Sequence, residues 1–225
     1  MTLNINFDAH VRFRTAVDVI KQLEAELYHA RASWSVFEAG NGLDKSSRAS
    51  LHELINNTYA NHTYGHIIRS AASMTVLSIS RITDNPRPQR YTIGGLQKVI
   101  IAQTDLLSES AGNWFPDWPE KSNKDKVWAR TEARQISDLI DQFTGSEELK
   151  RIRALRNEAL AHRLTVRTVR PTFNDIGVAF KSAHEIISRS STLILGNNWN
   201  PNDFFDVQLS YANEFWDALE RGLSC

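Results

Sequence analysis

The stretch EELKRIRALRNEALAHR, Glu147 to Arg163, brings an arginine and a histidine into one short segment. On a helical wheel of about 100° per residue with Leu149 at zero, Ile152, Leu155, Ala159 and Leu160 fall in a sector from roughly 240° to 20°. Arg156 falls at roughly 340°, inside that apolar sector, and His162 at roughly 220°, on its border. A guanidinium on the core side of a helix must be paired, or must face a partner chain or an anionic ligand, because an unpaired buried charge is very costly. One chemistry suited to the two is RNA cleavage. Arg156 can bind the scissile phosphate through a fork of charge-assisted hydrogen bonds. His162, a residue type with an ordinary pKa of about 6.5, can move the 2′-hydroxyl proton at neutral pH. The alternative is structural: an interhelical salt bridge for Arg156 and a satisfied border position for His162.

The surroundings of this pair are basic. Residues 150 to 170 contain Lys150, Arg151, Arg153, Arg156, Arg163, Arg167 and Arg170 against Glu158 alone. Arg153, Arg163 and Arg167 are therefore candidates to track an RNA backbone. A solvated helix face neutralised by an acidic last helix (Asp203, Asp206, Glu214, Asp217, Glu220) reads equally well. Arg81 and Asp84 could pair with the motif helix, or serve within their own helix and at its end. His62 and His66 stand one helical turn apart, a spacing that lets two imidazoles share a metal, but no third ligand is identifiable, so no metal is assigned. No Gly-rich phosphate loop and no Cys/His zinc pattern occurs, and no cofactor is expected.

The elements that must position these residues are helical almost throughout, with apolar residues at helical spacing, as in Val17, Ile20, Leu23 and Leu27. Helices are expected from about residue 9 to 39, stopped at Gly40-Asn41-Gly42, and from about Ser46 to Asp84, with a possible kink at Gly65. A weaker one follows from Thr92 to about Ser110, then an ordered loop, GNWFPDWPEKSN, whose aromatics pack on the bundle. Further helices run from about Ser122 to Phe143, Ser146 to His162, Phe173 to Leu195 and Pro201 to Leu223. Thr144 with Glu147 has capping-box spacing, and Asn200 precedes a proline at the first helical position. Leu164 to Pro171 reads as a short strand or an extended linker.

The chain has 225 residues, 41% apolar and 23% charged, so it buries a sizeable core as one domain: a core of about 10–190 with the C-terminal helix, about 201–223, packed on it. Lys plus Arg (26) equals Asp plus Glu (26), so attraction for nucleic acid must come from a local patch. The single cysteine, Cys225, allows no internal disulfide. With no secretory leader and no apolar run long enough to span a bilayer, a soluble, cytoplasmic protein with no membrane partner is expected.

RNEALAH, Arg156 to His162, resembles the signature of HEPN domains, all-helical modules in which an Arg, commonly followed by Asn, Asp or His, precedes a His near the end of a helix. The form is similar to that of the abortive-infection, AbiU-like branch, as is SISRITD, Ser78 to Asp84, at the end of a long earlier helix. The resemblance covers about residues 10 to 190. It implies an all-α, HEPN-type helical bundle with long antiparallel helices. It also implies a homodimer whose motif helices face each other across a shared groove. The activity it implies is that of a metal-independent endoribonuclease leaving a 2′,3′-cyclic phosphate, with Arg156 and His162 catalytic and Asn157 orienting them. The setting would be phage defence, or the toxin of a toxin–antitoxin pair with an antitoxin as partner. Some HEPN toxins carry a Tyr two residues after the His that a partner enzyme modifies; Leu164 stands there, which puts that control in doubt. A catalytically inactive HEPN-like dimer that binds protein or nucleic acid is the alternative.

Overall fold

A computed structural model describes residues 3–43, 48–56, 58–85, 91–108, 123–157, 171–196 and 201–224, with side chains from residue 14, 126 and 205 onward in the first, fifth and last helices. The elements are α1 (Leu3–Gly40), α2 (Ala49–Ile55), α3 (Tyr59–Thr83), α4 (Ile93–Ala102), α5 (Asn123–Gly145), α6 (Glu147–Leu155), α7 (Phe173–Leu195) and α8 (Pro201–Leu223). No strand occurs among the described residues, so the chain is all-α. The aromatic loop and the Leu164 to Arg170 stretch lie outside them.

α1 is the axis of the bundle. Ala16, Ile20, Leu23, Leu27, Ala30, Trp34 and Phe37 recur at three- and four-residue steps and are all buried. α7 runs antiparallel to it, Phe173 lying against Phe37 and Phe180 beside Trp34. α8 runs parallel to it: Gln208 bonds to Tyr28, and the fully buried Trp216 donates its indole N–H to the Val36 carbonyl at 3.0 Å. α3, α4, α5 and α6 complete the packing, and their buried residues join one hydrophobic cluster with those of α1, α7 and α8. Among the described residues no helix is long and apolar enough to cross a membrane.

Several expected boundaries move. The segment expected as one helix from Ser46 to Asp84 is two, the first ending at Ile55 and the second beginning at Tyr59, and Gly65, the expected kink, lies within the helical run of α3. Asn56 is extended (ψ 137°), and Thr58 donates its hydroxyl to the Ile55 carbonyl at 2.7 Å, satisfying an acceptor that a continuing helix would use. α4 stops at Ala102; Gln103 turns the chain, and residues 104–108 are again helical. Thr144 does not cap α6. Its hydroxyl donates to Ile140 inside α5 at 2.8 Å, and Ser146 accepts from the Leu149 N–H instead. α7 begins on a capping box between Thr172 and Asp175 and ends on Gly196, whose φ of 68° favours glycine.

Candidate functional site

α6 is short, and its two buried residues, Leu149 and Ile152, fix its rotation. Arg151 then faces α7, where it grips Asp175 through Nε at 3.1 Å and Nη2 at 2.6 Å. That fork, chiefly, holds the Asp175 carboxyl down at about 2. Arg153 and Arg156 face the other way, onto the end of α3. Arg153 donates Nη2 to the Thr83 carbonyl. Burial is the main influence lowering its pKa, offset by Asp84 and reinforced by Arg156.

Arg156 closes α6: its backbone is in the right-handed helical region (φ −57°, ψ −48°), and its N–H bonds back to the Ile152 and Arg153 carbonyls. Its Nη1 donates to Asp84 Oδ1 at 2.5 Å and its Nε to Asn157 Oδ1 at 3.0 Å. The pair is part-buried, the Arg156 side chain 25% exposed and that of Asp84 18%. Arg156 therefore does lie toward the core, as its wheel position implied, and is paired there. Of the two α3 residues considered as partners, Asp84 is the one that reaches the motif helix, and its own N–H also closes the end of α3 on the Arg81 carbonyl.

The structure thus brings Arg156 and Asn157 together, with Asp84 as a third member 72 positions from Arg156. His162, Arg163 and Arg167 lie outside the described residues. Arg153 is turned onto the α3 carbonyl rather than presented as an open fork. The alternative in which the last helix neutralises the basic stripe can be followed only over the described residues, since Arg163, Arg167 and the Asp203 side chain lie outside them. Asp217 and Glu220 serve Arg48, which is buried at the start of α2, while the α6 cations pair with Glu147, Glu148, Asp175 and Asp84. His62 and His66 are both exposed on α3, and no group of three His, Cys, Asp or Glu that could hold a metal occurs among the described residues.

A cavity of about 520 Å³ that the sequence did not announce lies between α1, α7 and the start of α8, with Arg31, Trp34, Lys181, His184 and Arg189 in its wall. Burial pushes the His184 imidazole down to about 4. Arg31 lies over the Phe205 ring, 5.0 Å from its centroid. Residues so far apart in sequence leave no local pattern to find.

No curated protein and no solved structure matches the chain. The HEPN_AbiU2 family model, described as AbiU2, matches residues 15–215, a span that runs from α1 through the Arg156 motif into α8. With most of its length matched and every described element helical, the chain belongs to the AbiU2 family of HEPN domains, proteins of the abortive-infection type.

Proposed function

We propose that the chain is a metal-independent endoribonuclease of HEPN type, acting in phage defence or as the toxin of a toxin–antitoxin pair, and working as a cytoplasmic homodimer. Arg156 binds the scissile phosphate. His162 accepts the 2′-hydroxyl proton, the 2′-oxygen attacks phosphorus as the bond from phosphorus to the 5′-oxygen breaks, and the 5′-oxygen takes a proton from water, leaving a 2′,3′-cyclic phosphate. Asn157 orients Arg156, and Arg163 and Arg167 follow the RNA backbone, with Arg153 adding its charge from behind. The observation that carries this reading is a part-exposed guanidinium fixed by Asp84 and Asn157 at the start of the RNEALAH motif, in a chain of the AbiU2 family. Asn157 holds the guanidinium from the Nε side, the kind of pre-orientation a phosphate-binding group requires.

The test is incubation of single-stranded RNA with the full chain in EDTA. Cleavage with 2′,3′-cyclic phosphate ends is expected, and His162→Ala should lower the rate by roughly 10² to 10⁴. Activity that vanishes with EDTA and returns with a divalent cation overturns the reading. A second reading, a helical module without nuclease activity, is favoured by the Asp84–Arg156 ion pair, which gives the arginine a partner within its own chain. Wild-type protein that binds RNA without cutting it would establish that second reading.

A further inference from the structure

A guanidinium offers an oxyanion two double-donor edges, Nε with Nη2 and Nη1 with Nη2. Among the described residues each edge of Arg156 has one nitrogen engaged, Nη1 by Asp84 and Nε by Asn157. A carboxylate and a phosphate suit the same fork, so they compete for it. Beside it Arg153 gives Nη2, the nitrogen common to both of its edges, to the Thr83 carbonyl. It does stay within electrostatic reach of Asp84, so that carboxylate keeps a counter-charge if Arg156 turns away.

We propose that an RNA phosphate binds Arg156 in exchange for Asp84, which makes Asp84 the positioning residue that holds the guanidinium in the free protein and sets how tightly the site takes a phosphate. This rests on the reading of Arg156 as the phosphate-binding group. Removing the carboxylate's charge then strengthens binding, whereas a purely structural Asp84 would weaken it or leave it unchanged.

The experiment uses the full chain and a labelled single-stranded oligomer with 2′-deoxy sugars throughout, which cannot be cut by 2′-hydroxyl attack, followed by fluorescence anisotropy at low salt. Asp84→Asn should bind at least threefold tighter than wild type, Asp84→Ser should tighten as well, and Asp84→Glu should stay near wild type. The gain should disappear in an Arg156→Ala background. With the matching RNA, KM should fall by a similar factor while kcat does not rise. Unchanged or weaker binding by both neutral variants overturns the exchange, as does equal tightening in the Arg156→Ala background or no binding by any form. Tighter binding by Asp84→Asn from a wild type that never cuts RNA would sink the nuclease reading and leave the exchange standing.

Discussion

Arg156→Ala separates what the residue does for the fold from what it does for chemistry. Truncation leaves Asp84 at the carboxyl end of α3, where the helix dipole already disfavours a negative charge. A fully buried pair broken in this way costs about 3 to 5 kcal/mol. Here both side chains keep some contact with water and Arg153 stays close, so a loss of about 1 to 3 kcal/mol is expected, read from urea melts. A change within experimental error would mean that the pair does not hold α6 to α3. A second residue-scale prediction concerns acid. His184 is pushed down to about 4 by burial, so between that value and its ordinary 6.5 the unfolded chain binds the extra proton and stability falls as pH falls. Asp175, held near 2 chiefly by Arg151, contributes stability that is complete above its ordinary 3.8 and is lost as pH drops from there toward 2. Urea midpoints should therefore decline from pH 6.5 downward, in two stages. His184→Gln should flatten the upper stage alone; a profile it leaves unaltered would remove His184 as the cause.

At the scale of elements, α7 and α8 are legible in the sequence to the residue, because each is bounded by strong local chemistry: Thr172 before Asp175 and Gly196 behind α7, Pro201 at the head of α8. The break between α2 and α3 is not legible. Asn-Asn-Thr interrupts no apolar rhythm, and α2 ends on an extended Asn56 with both the N–H and the hydroxyl of Thr58 turned back to the Ile55 carbonyl. The start of α6 shows a competition the sequence leaves open, since Thr144 and Ser146 both stand near its first turn. Ser146 wins because the threonine is still inside α5 and back-bonds to Ile140. Ser146→Ala should thus cost about 1 kcal/mol, and Thr144→Ala clearly less, in parallel thermal melts. Equal losses would show the cap to be shared. The candidate site divides along the same line. The core-side phase of Arg156 follows from helical geometry and is readable, as is its need for a partner. That the partner is Asp84 depends on how α3 ends against α6, a tertiary fact only hinted at by SISRITD. Arg48 gave no hint at all: a surface-looking arginine proves to be buried, bonded to the Ala39 carbonyl, Asn213 and Asp217.

At the scale of the whole molecule, equal numbers of cationic and anionic residues leave no global field, and the cations of α6 pair largely with carboxylates from α3, α6 and α7. Under the proposed function, a phosphate contact at the described cations of this segment is then made against an existing ion pair, which weakens a single protomer's hold on RNA. In the proposed dimer, two motif helices sharing one groove would double the number of arginines facing a strand, which is the physical reason for proposing it. Such an assembly has two-fold symmetry and should bury more than about 1,000 Å². Light scattering at micromolar concentration should report twice the protomer mass of 25.6 kDa. Specific activity should fall on dilution below the dimer dissociation constant, while a fold probe such as circular dichroism stays constant, since α1 to α8 form one core within the protomer. Arg156→Ala should also lower the slope of log affinity against log salt by about one, for the lost phosphate contact. A protein that is monomeric throughout and cuts RNA at a specific activity independent of concentration would place the whole catalytic site within one chain and remove the dimer from the mechanism.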